Sequence, residues 1–342
     1  MNERSAPDTR YARQIRFTGV GEAGQRHIGA ARVAVLGTGA LGSVIANGLA
    51  RAGVGYLRLI DRDLVDRSNL HRQILFTEQD AADERPKAEA SAEHLRAANS
   101  EISIEAIVED IDASNIERLI DGVDLVMDGT DNFETRFLIN DACVKHGLPW
   151  VHGGALGSYG MTLTIVPGTT ACLSCMMGVM PAPGTTETCA TAGVLSATTG
   201  VIANLQVAEA LKLIVKAAPR TSCMIVDVWQ GYAEEIPVAR NPECPTCGGR
   251  TFEHLDGGAR SRVRVLCGSD SIQITPAGRR ELDLDQMEQS LRAAGTVRRI
   301  DRMVRLETGD VSLTLFADGR AMFRGARDEN HARALYAELI GL

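Results

Sequence analysis

The sequence predicts a doubly wound α/β fold with a mainly parallel sheet, followed by a small α/β domain at the C-terminal end. Three observations carry this. The apolar run Val33–Leu36 leads into GTGALG, Gly37–Gly42, and then into the helix-like SVIANGLARAG. A strand, a glycine turn and a helix in that order make a Rossmann-like unit, which turns backbone N–H groups and a helix N-terminus toward a phosphate. Strand-like and helix-like stretches then alternate over roughly 120 residues, as parallel sheets require. Finally, the length of 342 residues with 44% hydrophobic and 23% charged residues suits two globular domains.

Taken in order, Val33–Leu36 and Tyr56–Asp61 read as short buried strands with a helix between them. A helix starts near Pro86, where proline suits a first turn. The alternating ISIEAIVE (102–109) and the run Leu125–Asp128 read as further strands, Asn132–His146 as a helix, and the stretch near Trp150 as the next strand. Residues 153–167 are glycine-rich and β-like, which suggests a hairpin extending the sheet. A long loop, Gly168–Thr191, precedes a buried helix over Val194–Val215, and MIVDVWQGYAEEIPV adds strand pattern. These elements place a nucleotide-binding domain over 1–250. After the linker-like HLDGGARS, the small domain over 260–342 reads as two strands (RVRVLC, SIQIT), a helix (LDQMEQSLRAA), three strands (RMVRLE, SLTLF, AMFRG) and a last helix.

A net charge of −8 gives no basic footprint for nucleic acid or an anionic membrane surface, so neither is expected as a partner. The opening MNERSAPDTR has no apolar core of the length a secretory signal needs, and the Val194–Val215 segment carries Asn204, Gln206, Glu209 and Lys212. A cytoplasmic location is the expectation. Eight cysteines there point to metal or catalysis before disulfides.

Gly37, Gly39 and Gly42 form a cradle that nicotinamide, flavin or adenosine triphosphate could all use. Asp61, at the end of the second strand, stands where a carboxylate takes a ribose hydroxyl, although aspartate also forms strand-end turns. DRDLVDRSNLHRQ follows with Asp63, Asn69, Arg72 and Gln73, and Lys87 comes soon after. A triphosphate cleaved during reaction needs cations that follow charge onto the leaving pyrophosphate, and Arg72 with Lys87 fits that need better than a pair of solvated surface charges. Asp131, just past the Leu125–Asp128 strand, suits Mg²⁺ shared with phosphate oxygens, or a helix cap formed by Asp131 or Thr130. His71 and His152 read as positioning or packing residues, and Cys143, Cys223 and Cys267 as small buried hydrophobes.

Cys172-Leu-Ser-Cys175 and Cys244-Pro-Thr-Cys247 are two C-x-x-C hooks. Two hooks suit a closed tetrathiolate Zn²⁺ site, structural and not catalytic. A redox pair is the alternative, disfavoured because neither pair opens a thioredoxin-like helix. Cys189 lies near the start of the Val194–Val215 helix, whose N-terminus would make its thiol more reactive.

GTGALG, DRDLVDRSNLHRQ, Lys87 after Pro86, GTDN and the early RYARQ together resemble the ThiF/MoeB/HesA adenylyltransferases, bacterial relatives of ubiquitin-activating enzymes; the likeness runs from about Arg10 to Gly248. The resemblance implies that ATP and the C-terminal Gly-Gly of a ubiquitin-like sulfur carrier protein react to an acyl-adenylate and pyrophosphate, for sulfur insertion into thiamine, molybdopterin or a related product. It implies that Asp61 holds the ribose, that Asn69, Arg72 and Lys87 contact the phosphates beside Asp63 and Gln73, and that Asp131 takes Mg²⁺. It also implies a homodimer in which Arg13 reaches the partner's ATP site, acyl or sulfur transfer at Cys189, and a sulfur donor such as a cysteine desulfurase. The C-terminal unit, short for a rhodanese, resembles the tail of some longer relatives, with docking or dimer support as the expected role. Two other readings are a NAD-dependent oxidoreductase, which leaves Arg72, Lys87 and the hooks unexplained, and a non-catalytic carrier-binding scaffold.

Overall fold

The computed structural model describes residues 10–178, 193–256, 262–266, 271–276 and 281–340. The chain divides into two compact units, Met1–Gly257 and Gly258–Leu342.

In the first unit, strands β1 (Arg32–Leu36), β2 (Tyr56–Ile60), β3 (Ser103–Ile107), β4 (Leu125–Asp128), β5 (Trp150–Leu156), β6 (Tyr159–Ile165), β7 (Ser222–Asp227) and β8 (Tyr232–Pro237) form one sheet, ordered β3-β2-β1-β4-β5-β6-β7-β8. The first five strands in that order run parallel and the rest antiparallel. The helices are α1 (Ala12–Ile15), α2 (Gly21–Ala30), α3 (Ala40–Ala52), α4 (Glu78–Ala82), α5 (Lys87–Ala98), α6 (Ile116–Ile120), α7 (Phe133–His146), α8 (Leu173–Met177), α9 (Ser196–Ile214) and α10 (Glu253–Asp256).

β1 explains why both sheet faces are covered. Its Val33 and Val35 share a core with Ile45 and Leu49 of α3 and Ile202 of α9, whereas Ala34 and Leu36 share the opposite core with Phe137 and Ile139 of α7. A strand apolar on both sides can only be stable between two helical layers. From β1 the chain winds one way to β2 and β3 and the other way to β4 and β5. The crevice between β1 and β4, at the carboxyl ends of the strands, is therefore the topological switch point where such sheets hold ligands.

Two segments differ from the sequence expectation. RYARQ, which by itself reads as a basic N-terminal arm, is docked: Gln14 donates to the Ala52 carbonyl (2.9 Å), Asn99 donates to the Tyr11 hydroxyl (2.9 Å), and the Tyr11 ring fills the space where Gly53 has no side chain. The contacts that order it are long-range, so local pattern could not reveal them. The long loop after Gly168 contains α8, and its residues 179–192, with Cys189, lie outside the described residues.

In the second unit, β9 (Arg262–Leu266), β10 (Ser271–Thr275), β11 (Thr296–Ile300), β12 (Met303–Thr308), β13 (Val311–Phe316) and β14 (Ala321–Arg324) form an antiparallel sheet ordered β11-β12-β13-β14-β10-β9, with α11 (Leu284–Leu291) and α12 (Glu329–Ile340). It is thus more β-rich than expected. β11 was not anticipated because TVRRI is too polar to read as a strand; its pairing with β12 supplies what composition does not. Leu306, Leu313, Leu315 and Phe323 pack with Leu284, Leu291 and Tyr336 in this unit's own core. Cys267 lies outside the described residues.

Candidate functional site

The glycine turn is shaped by backbone-on-backbone contact. Gly37 has φ +85°, and a side chain on it would strike the Gly129 carbonyl at 2.7 Å. A Cβ on Gly42 would overlap the Gly37 carbonyl oxygen, and one on Gly129 would too. The turn before α3 and the turn after β4 are therefore pressed together, which only glycine allows. Gly39 stays open: the nearest atom to a Cβ there would be Gln73 Nε2, at 3.8 Å. Gln73 is buried and its Oε1 has no hydrogen-bond partner. A buried acceptor without a donor is costly, and one at the lip of a phosphate cradle fits a site completed by a bound ligand.

Asp61 leaves the end of β2 buried. Its Oδ2 accepts from the Thr38 backbone N–H (2.6 Å) and hydroxyl (3.1 Å), and its Oδ1 from the Asp63 N–H (2.8 Å). Burial pushes its carboxyl up, against the pull of Lys87. These bonds pin β2 to the glycine turn. Lys87, at the first position of α5, is also buried, and its ammonium sits 3.1 Å from Asp63 Oδ2. Burial alone would pull its pKa down, but Asp63, Asp61 and Asp131 outweigh it and hold it above the ordinary lysine value. Asp63 also faces Arg62 at 3.5 Å, and Arg62 in turn pairs with Asp110 at 2.9 Å. Burial opposes the Arg62 charge, yet Asp110, Asp63 and Asp131 raise its pKa.

Arg72 is half-buried and donates to Asn69 Oδ1 (2.7 Å), so the two predicted phosphate ligands hold one another. His71 is exposed, with Nδ1 3.0 Å from the Ser68 carbonyl. Asp131 is exposed, and among the described residues its hydrogen-bond contact is a long one, 3.4 Å, from Asn132 Nδ2. The α7 cap is Asn132, whose Oδ1 accepts from the Thr135 N–H (2.9 Å), and not Asp131 or Thr130. Asp131 is thereby spared for another role. With Asp63 and Asp61 it helps to keep the Lys87 ammonium charged.

Arg13 lies elsewhere. It is exposed on α1, which is held against Ala52 and Gly53 at the C-terminal end of α3, while the cradle is at the N-terminal end. The 13 residues of α3 put about 18 Å between those ends.

The four hook cysteines converge, with their sulfurs within 4.8 Å of one another: Cys175 to Cys247 is 3.4 Å, Cys172 to Cys244 3.6 Å, and Cys172 to Cys175 3.8 Å. A tetrahedral Zn²⁺ with bonds of about 2.3 Å needs sulfur pairs about 3.8 Å apart. The Asn241 N–H donates to Cys175 Sγ at 3.4 Å. Cys172 is the N-cap of α8, which is only five residues long. A redox reading gains nothing from that, because all four thiols gather at one point. Behind them, Asn140 of α7 accepts from the Leu173 N–H (2.9 Å), and Ser174, Thr246 and Asp141 continue a polar chain that ties both hooks to α7.

Sequence reading missed Thr38, Arg62 and the buried set Asp128, Arg136 and His152 as a unit. The available signal was the row of polar residues Asn132, Arg136 and Asn140 at helical spacing, one face of a helix of mixed character.

The ThiF family model matches residues 11–246. The chain belongs to the ThiF family. Among ThiF-family relatives, the sulfur carrier protein ThiS adenylyltransferase of Bacillus subtilis is 39% identical over 335 residues, covering 97% of this chain and 99% of that protein. The SAMP-activating enzyme E1 of Haloferax volcanii is 38% identical over 241 residues, 70% of this chain and 88% of that one. A solved structure of E. coli MccB with ATP superposes with a TM-score of 0.63 at 25% identity, covering 71% of this chain and 75% of that chain. No helix among the described residues is long and apolar enough to cross a membrane.

Proposed function

We infer that the protein uses ATP to adenylate the C-terminal glycine of a ubiquitin-like sulfur carrier protein. The observation that carries this is the cation cluster beside the glycine cradle, Lys87 with Asp63 and Arg72 with Asn69, in a ThiF-family chain. A carrier carboxylate oxygen attacks the α-phosphorus of ATP, a C(O)O–P bond forms, and the bond to the β-phosphate breaks to release pyrophosphate. In this reading Lys87 and Arg72 follow the charge that moves onto that leaving group, and Asp61 takes the ribose. Displacement of Asp63 from Lys87 by phosphate is part of binding. Asp131 would hold Mg²⁺, which supplies charge neutralisation at the phosphates. Cys172, Cys175, Cys244 and Cys247 would hold Zn²⁺ as a structural clamp.

Arg13 cannot serve the cradle of its own chain, which supports a homodimer with crossed sites. Cys189 is proposed for a later acyl or sulfur transfer, fed by a donor such as a cysteine desulfurase, and Cys189→Ala should keep pyrophosphate exchange. The full-length likeness to a ThiS adenylyltransferase makes a thiazole-type carrier the first to test. ATP–pyrophosphate exchange that depends on a carrier ending in Gly-Gly is the expected result. Nicotinamide reduction without exchange would replace this reading with an oxidoreductase, and carrier binding without exchange with a scaffold.

A further inference from the structure

Beneath Asp131 lies a buried polar group that no step above uses. Asp128 ends β4 with no exposed surface. Its Oδ1 accepts from the Thr130 N–H (2.9 Å) and hydroxyl (2.7 Å), its Oδ2 accepts from His152 Nδ1 (2.8 Å), and Arg136 Nε stands 3.5 Å from Oδ2 without making a hydrogen bond. Arg136 Nη2 donates instead to the Thr130 carbonyl (2.8 Å). Thr130 is thus gripped by both its N–H and its C=O, and Asn132 is fixed by the α7 cap. Asp131 is the one residue between these two clamps.

A buried ion pair is poor evidence of stabilisation, because apolar residues of the same volume often serve as well. Here its geometry has a direction: Asp128 and Arg136 both bond to Thr130, in the turn that carries Asp131 and whose Gly129 presses on Gly37. His152 is pulled down by burial and stays neutral despite Asp128, while Asp128 stays ionised despite burial because His152 and Arg136 hold its carboxyl low. A neutral donor fixes the second carboxylate oxygen without adding charge. We propose that His152 is a positioning residue: its Nδ1–H keeps Asp128 turned onto Thr130, and so holds Asp131 at the site where Mg²⁺ and the triphosphate meet.

This rests on the adenylation reading, and two measurements separate the two. In His152→Ala, Asp128 is free to swing onto Arg136 and release Thr130. The Mg²⁺ concentration giving half-maximal carrier-dependent exchange should rise by about tenfold or more, the usual effect of losing a partner behind a metal ligand, with the carrier KM unchanged. His152→Asn places an amide N–H where Nδ1–H was and should restore most of the wild-type Mg²⁺ dependence. Independently of activity, backbone amides 129–133 should exchange with deuterium faster in His152→Ala than in wild type or His152→Asn, while those of α5 do not change. Unchanged protection of 129–133 in folded His152→Ala, or a loss spread evenly over the domain, overturns the positioning role. A wild-type protein without exchange activity overturns the adenylation reading, and the deuterium measurement still decides whether His152 holds the turn.

Discussion

Lys87 shows how much of the site is settled by single side chains. It is buried, yet its charge is retained because Asp63 and Asp61 compensate it more strongly than burial opposes it. Lys87→Ala should lower pyrophosphate exchange by roughly a hundredfold or more, the scale of one lost electrostatic stabiliser. Stopped assays with a folded variant check this; a value near wild type would remove Lys87 from the reaction. At this scale the sequence named residues that the structure brings into contact, Lys87 near Asp63 and Arg72 with Asn69. It was silent on Thr38 and Arg62, since their partners Asp61 and Asp110 are 23 and 48 residues away.

Among elements, α3 and α7 explain most of the architecture. Contact between Gly42, Gly37 and Gly129 brings the start of α3 against the end of β4, and a methyl at Gly42 has backbone, not a flexible side chain, in its way. Gly42→Ala should therefore destabilise by about 3 kcal/mol or more and weaken ATP binding together with folding, measured by denaturant melts with and without nucleotide. The alternation of Val33 and Val35 with Ala34 and Leu36 made the parallel half of the sheet legible, because both faces must be apolar. α7 was legible as a helix but not as a connector. Its first turn follows Asp131, while its Asn140 and Asp141 reach the two cysteine hooks. The purified chain should hold about one Zn²⁺, and stripping it should lower the melting temperature and raise exchange in α8 and 241–250, since metal binding is folding free energy. Native protein with no zinc and all four hook cysteines open to alkylation would refute the clamp.

For the whole molecule, the decisive question is where Arg13 acts. Its helix is anchored by Tyr11 and Gln14 to the far end of α3, so no side-chain rotation brings it to the cradle of the same chain. If it serves ATP at all, it does so across a two-fold axis, where each site takes Arg13 from one chain and Lys87 from the other. Arg13→Ala and Lys87→Ala should each be nearly inactive alone. Unfolded together and refolded as a mixture, half of the dimers would pair one of each, and one of their two sites would carry both residues intact. Exchange should then recover to about a quarter of wild type. Sequence alone could not have supplied this argument, because RYARQ looks the same whether it folds back or crosses over. A mixture no more active than its parents, with heterodimers verified by mass, would mean that no site combines Arg13 of one chain with Lys87 of the other, and the crossed arrangement would fall.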